Sequence, residues 1–473
     1  MHNSNLYSKN KFVLLIAITW LVVSLMLAVN CEMSTTMNSH NTLVVFNVIS
    51  YVLCLYSWIS TKNRILSMYT IFVVYLFMSN MAQSLLYAVG FHWDIAYLYY
   101  LYTIGEMNQL LCYELVCIAS LNLGTAIAVF KTKNCVTASS LQLMYNSSKQ
   151  PAPSAENQIL TVITAVVWLY EILFAMKMFF MRQSMTYSEV YLAAQDMRGS
   201  LGSYVSYLAM FLSLWNILQR RHLAWMYTCI ILVVVLYMLV GTRSRSIVYV
   251  AILLLTLPMV KPQWFKKKYW ILWIGAAILS FSGLSIITNT RSNKLDSDVN
   301  MSAIEEGSTN ASVNTMLEMG GSARTIVLTQ EAIDAGFPKH QTIIYSLINA
   351  IIPGFNYTGI LAKERLQLSG WVTEYANSLD SGLGYSIIAE SYMNYGWYGW
   401  IFMVLYGCFL AYTENFAYRK FLNREYMLSV MLLLLLAKNI FSARGELALM
   451  IGFVRMPIYL YILNHIYRLI KNS

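Results

Sequence analysis

Apolar residues recur along this chain in long runs with short polar breaks between them, beginning with "FVLLIAITWLVVSLMLAV" at 12–29 and continuing to "YLYILNHI" at 459–466. A helix needs about 20 mostly apolar residues to cross the hydrocarbon layer of a membrane, and the pattern supplies such segments repeatedly. It predicts about twelve spans, at 12–30, 42–59, 66–90, 106–130, 158–181, 199–218, 223–241, 246–260, 269–289, 385–413, 426–443 and 447–467. The expected fold is all-α, a polytopic integral membrane protein. Spans one to nine occupy 1–289, a long polar loop follows at 290–384, and spans ten to twelve fill 385–473, all within a single integrated membrane domain. The loop carries apolar stretches such as "YSLINAIIPGF" at 345–355, so short helices lying on the membrane face are expected within it.

Composition agrees with this reading. The chain has 473 residues, of which 58% are hydrophobic and 11% charged, outside the range of soluble domains. The first span lacks a small-x-small cleavage site and is expected to remain as an anchor. The seven cysteines include no CxxC pair, so neither a disulfide framework nor a zinc site is indicated. The net charge of +10 would suit nucleic acid, but its lysines and arginines lie in short loops between spans, where they fix orientation instead. No nucleic-acid partner is expected; the lipid bilayer is.

Basic clusters fall in alternate loops: Lys9 and Lys11; Lys62 and Arg64; Lys131 and Lys133; Arg220 and Arg221; "FKKK" at 265–268; Arg419, Lys420 and Arg424; Arg468 and Lys471. Those loops are read as cytoplasmic, together with both termini. On this topology "GTRSR" at 241–245, "FSARGE" at 441–446 and the long loop 290–384 face the outside.

Several outer arginines need a reason. A guanidinium grips phosphate or carboxylate with two parallel hydrogen bonds and stays charged at any relevant pH. Arg243, Arg245 and Arg444, with Arg291 and Arg324 in the long loop, suit a diphosphate as a group; any one of them alone is better explained by snorkelling to headgroups. Arg455 lies deeper in its span and requires a partner. Glu171, Glu114 and Glu390 are the acidic candidates, and an internal ion pair is the competing account. Ser386, Glu390 and Asn394 are spaced by four and predict one polar stripe on a helix, with Gly396 and Gly399 permitting close packing beyond it. Glu390 could accept a proton from a hydroxyl, and His340, the one histidine of the long loop, is a second candidate base. Asp296-Ser297-Asp298 spells the DxD of many metal-dependent glycosyltransferases and keeps a metal-dependent lipid-phosphosugar transferase as a third possibility, while the lack of a glycine-rich phosphate loop and of HExxH gives no sign of ATP or a nucleotide sugar as cofactor.

Taken together, "GTRSR", "EMGGSARTI" at 318–326, "GLGYSIIAESYMNYGWYGWI" at 382–401 and the closing "ARGE" resemble the O-antigen and oligosaccharide repeat-unit polymerases of the Wzy type. The resemblance implies a metal-independent glycosyltransferase of the bacterial cytoplasmic (inner) membrane, with its active site on the periplasmic side and the loop 290–384 as a large periplasmic loop. Its substrate would be an undecaprenyl-diphosphate-linked oligosaccharide. A growing glycan would pass from that carrier to a new lipid-linked repeat unit, and a chain-length regulator protein becomes a candidate partner. Arg243, Arg245, Arg324, Arg444 and Arg455 would bind the donor diphosphate, and Glu390 or His340 would deprotonate the acceptor. An O-antigen ligase shares the donor and is the nearest alternative. A flippase of lipid-linked sugars is the non-enzymatic one, although the chain shows no pair of hydropathy-matched halves.

Overall fold

The computed structural model describes residues 2–62, 67–90, 97–132, 155–185, 187–241, 243–260, 319–339, 342–351, 368–376 and 384–447; the elements among them are helical, with no strand. In chain order the helices are α1 (His2–Cys31), α2 (Met37–Lys62), α3 (Met68–Asn80), α4 (Ala82–Ala88), α5 (Tyr97–Leu101), α6 (Ile104–Lys131), α7 (Ala155–Ser184), α8 (Tyr187–Leu218), α9 (Leu223–Val240) and α10 (Arg243–Val260). Then follow α11 (Arg324–Asp334), α12 (Thr342–Ile351), α13 (Leu368–Tyr375), α14 (Ile387–Tyr395), α15 (Gly399–Leu422) and α16 (Tyr426–Asn439). Short 3-10 turns occur at Gly320–Ala323, Gly396–Tyr398 and Ile440–Ala443.

Six of these segments are long and apolar enough to cross a membrane: 10–31, 37–60, 104–131, 158–184, 223–240 and 426–443. They coincide with six of the predicted spans. The predicted span 66–90 is instead α3 and α4, bent by 58° at a break, and makes a seventh crossing if the pair is counted as one. At 199–218 and 246–260 the apolar helical parts, Tyr204–Leu218 and Ser246–Leu257, are shorter than a crossing. The predicted spans 269–289 and 447–467 lie outside the described residues. The expected short helices of the long loop are present as α11, α12 and α13.

The chain divides into two compact units. The first comprises Met1–Thr137, Met316–Arg419 and Lys438–Ser473. Its axis is α6, whose start is fixed by a reciprocal cap: Glu106 N donates to Thr103 Oγ1 and Thr103 N donates to the Glu106 carboxylate. Helices α1 and α2 pack along it. A bilayer gives no hydrophobic drive between helices, so close backbone approach and internal hydrogen bonds do the holding. Gly124 and Gly407 meet this need, since a Cβ at either would collide with the main chain of the facing helix, at Val404 and Leu121. Polar side chains point inward: Asn47 Nδ2 donates to Leu111 O at 3.0 Å and Tyr51 to the Glu114 carboxylate at 2.7 Å. Apolar ones such as Leu15 and Val29 point outward, the arrangement expected where the solvent is lipid.

The second unit comprises Ala138–Thr315 and Lys420–Ala437. Here α7 packs against α8 and α9, and α9 against α10. Glu171 is fully buried on α7 and accepts hydrogen bonds from Ser206 Oγ at 2.5 Å, Tyr237 Oη at 2.6 Å and Tyr249 Oη at 3.3 Å. Hydroxyls from α8, α9 and α10 thus converge on one carboxylate, which draws these helices onto α7. Gly241 ends α9 with a left-handed φ of 91°, and the next helix begins at Arg243. Arg243 and Arg245 were expected in a minimal loop; their main chain forms the first turn of α10, and their side chains lie outside the described residues.

Candidate functional site

Three segments that are distant in sequence meet in the first unit at Gly384, Tyr385 and Ser386. The amide of Tyr385 donates to the carbonyl of Arg444 at 3.3 Å, and the amide of Ser386 donates to Thr325 Oγ1 at 3.4 Å. Tyr385 also shares a 2.8 Å hydrogen bond between its hydroxyl and that of Thr329, one turn along α11. Gly384 makes the joint possible. Its φ of +74° is left-handed, and a Cβ there would stand 2.7 Å from the carbonyl oxygen of Arg444. The chain on either side of this three-residue strap carries an arginine: Arg324, the first residue of α11, and Arg444, which follows the 3-10 turn Ile440–Ala443.

Both arginine side chains are partly exposed. Arg324 Nε donates to Tyr102 Oη at 3.4 Å. Burial raises the Glu331 carboxyl above its ordinary value, and the charge of Glu106 adds to the rise while that of Arg324 works against it. The Arg444 guanidinium has no hydrogen bond or ion pair among the described residues. Arg324 is thus anchored through Tyr102, and the Arg444 segment through its main-chain contact with Tyr385.

Behind the strap lies the predicted polar stripe. Glu390, fully buried on α14, uses both carboxylate oxygens: Thr342 Oγ1 donates to Oε1 at 3.1 Å and the amide of Leu447 donates to Oε2 at 2.7 Å. Asn394, one turn on, donates to Thr342 Oγ1 at 2.9 Å and accepts from the amide of Ile343 at 3.1 Å. Glu390 and Asn394 thus share a face, as spacing by four requires, and together hold the start of α12. Ser386 has a different task. It is the N-cap of α14, its hydroxyl accepting from the amide of Ile388 at 3.3 Å. Burial pushes the Glu390 carboxyl up to about 8, the nearby Glu446 charge adding to this and the Leu447 amide opposing it.

Glu446 was not picked out from the sequence, although it ends the "ARGE" read for its arginine. It is 3% exposed and accepts from the amide of Ser369 at 3.1 Å, which places a carboxylate at the N-terminus of α13. Burial pushes it up to about 7, against the lowering effect of the Ser369 and Leu368 amides. Thr325, Thr329 and Thr342 were missed as well. Their only sequence signal is a hydroxyl in a short helix, which more often caps or bonds its own helix than forms a site.

The predicted span 385–413 is not one helix. At Gly396, φ 58° and ψ −141° leave the helical region, and the chain makes a 3-10 turn before α15. Gly396 therefore supplies a break where packing was expected. Gly399 does provide the close approach: a Cβ there would strike the Tyr113 hydroxyl of α6. His340, Arg455, Arg291, Asp296 and Asp298 lie outside the described residues. Of the acids considered as partners for Arg455, Glu114 and Glu171 are held by tyrosine or serine hydroxyls, and Glu390 by Thr342 and Leu447.

No curated protein and no solved structure matches the chain. The family described as O-antigen polysaccharide polymerase Wzy matches residues 12–472, a stretch that contains all three segments joined at Tyr385. With apolar helices fit to cross a bilayer and a match over nearly its full length, the chain is an integral membrane protein that belongs to the O-antigen polysaccharide polymerase Wzy family.

Proposed function

We propose that the protein extends a polysaccharide at the periplasmic face of the bacterial inner membrane, moving the growing glycan from undecaprenyl diphosphate to the non-reducing end of the next lipid-linked repeat unit. Family membership supports polymerisation in the broad sense. The observation that carries the donor chemistry is the strap at Tyr385, which ties the segments of Arg324 and Arg444 to opposite sides of one short stretch. In the transfer, an acceptor hydroxyl oxygen bonds to the anomeric carbon as that carbon's bond to the phosphate oxygen breaks. The electron pair departs with the diphosphate. Arg324 and Arg444 hold that diphosphate and stabilise the charge gathering on it. The proton released by the acceptor goes to Glu390 by way of the Thr342 hydroxyl, with His340 as the alternative base. Neither a metal ion nor a nucleotide sugar takes part.

The test is deletion of the gene followed by electrophoresis of surface polysaccharide. The expected result is loss of every band above one repeat unit, with the single-repeat band retained and the ladder restored by the natural gene. Loss of the single-repeat band as well would point to a ligase or a flippase instead.

A further inference from the structure

Helix α13 packs through Leu368 and Val372, both fully buried and one turn apart. Its second stripe is unnecessary for that packing. Trp371 and Tyr375, also one turn apart, stack with centroids 5.5 Å apart and planes at 26°. Phe337, in the chain just after α11, extends the row, 5.1 Å from Trp371 at 36°. Trp371 and Phe337 are partly exposed, and Tyr375 is 43% exposed. Three large rings thus follow one another at tilts of 36° and 26°, each with part of its surface accessible and Tyr375 the most exposed. The row is also held still: the Ser369 amide at the start of α13 is bonded to Glu446, whose chain neighbour Leu447 is bonded to Glu390.

We propose that Phe337, Trp371 and Tyr375 form a stacking platform for the sugar rings of the growing glycan. This rests on the reading of the protein as a polymerase. Aromatic faces carry partial negative charge, and the C–H face of a pyranose carries partial positive charge, so the two stack. Rigid tryptophan and tyrosine give up little conformational entropy when they bind. A row of rings suits a chain of sugars, whereas a single ring would suit a single one. The exposed Asp334, Lys339 and Glu374 lie within three residues of these rings along the chain and carry groups that can hydrogen-bond sugar hydroxyls. Acidic residues beside the rings also disfavour the other occupant of such aromatics, the anionic headgroup layer. A platform beside the transfer site would keep the growing chain on the enzyme between additions and so set polymer length.

The experiment replaces the chromosomal gene with Tyr375→Ala, Trp371→Leu and Trp371→Phe variants, measuring protein in the membrane fraction and the length distribution of surface polysaccharide. Tyr375→Ala and Trp371→Leu are expected to shift the ladder to shorter chains at unchanged protein level, while Trp371→Phe, which keeps a ring face, stays near the natural length. Purified enzyme should bind the host's O-polysaccharide, freed from lipid by mild acid, roughly three- to tenfold more weakly in Tyr375→Ala, matching the loss of one aromatic contact. If the ladder and this affinity are both unchanged in Tyr375→Ala, the platform is disproved. If ladder intensity falls only in proportion to membrane protein, with length unaltered, the rings are interfacial anchors and the proposal also fails. A protein that is not a polymerase would give a different result, because deleting its gene would remove the single-repeat band as well or leave the ladder unchanged.

Discussion

The carboxylate of Glu390 is bonded to the main-chain amide of Leu447 at 2.7 Å, so the residue proposed to take a proton is also a joint between α14 and the end of the described chain. These roles separate under substitution. In Glu390→Gln the side-chain oxygen can still accept from Leu447 and the new NH2 can donate to Thr342, so the protein should fold and reach the membrane. Its polymer output should fall by about 10²-fold or more, the scale of losing a general base. Glu390→Leu leaves the Leu447 amide buried without a partner, at a cost of about 1–3 kcal/mol, and should lower the thermal midpoint in detergent. A natural ladder from Glu390→Gln would remove Glu390 from the chemistry.

Thr342 gives an independent check on the proton path, because its hydroxyl lies between Glu390 and Asn394. Thr342→Val keeps the shape but removes both hydrogen bonds, costing about 1–3 kcal/mol of stability. Polymerisation should fall as in Glu390→Gln, whereas Thr342→Ser should retain it. Gel analysis of the three variants at matched membrane protein decides the matter.

The dependence on pH should run in opposite directions for activity and stability. Folding raises Glu390 from 4.5 to about 8 and Glu446 from 4.5 to about 7, so the folded state favours the protonated acids. Their contribution to stability is complete below the unfolded value and is lost as pH rises through the folded one. The thermal midpoint should therefore decline between about pH 5 and about pH 8, and less steeply in Glu390→Gln. Turnover of a synthetic lipid-linked repeat unit should instead rise with pH through about 8, as Glu390 becomes able to take a proton.

Replacing Arg444 by alanine removes a side chain with no polar partner among the described residues, so stability should change by no more than about 0.5 kcal/mol. Polymer should nonetheless fall by about 10²- to 10³-fold, the scale of losing one charge-stabilising donor. Lysine should rescue only in part, since an ammonium lacks the planar fork. Unchanged chain length in both Arg444→Ala and Arg324→Ala would refute the diphosphate site. Chelation with EDTA should leave turnover intact; loss of activity would instead favour the Asp296–Asp298 pair and metal-dependent transfer.

Gly384 and Gly336 form a contrast. Both have left-handed φ, +74° and +89°, but a Cβ at Gly384 meets the Arg444 carbonyl at 2.7 Å while one at Gly336 meets nothing within 4 Å. Each alanine pays the backbone strain of about 1–2 kcal/mol. Only Gly384→Ala also displaces Arg444, so it should depress polymer output by more than its loss of stability explains. Ladder and melting measurements on the pair test this directly.

Hydropathy alone located the six long apolar helices, because a span depends on local composition and length, which a linear sequence displays in full. Spacing by four likewise placed Glu390 and Asn394 on one face, since helical periodicity is local. The break at Gly396 was not legible, because a glycine in an apolar run reads equally as close packing or as a turn, and its φ is settled by its surroundings. Nor was the strap at Tyr385: Thr325, Tyr385 and Arg444 are separated by 59 residues or more along the chain, and the hydrogen bonds that unite them are between main chain and neighbours rather than between the conspicuous charges. Residue types announced what chemistry the chain can hold, while long-range backbone contacts, which leave no periodic trace in sequence, decided which of those residues stand together.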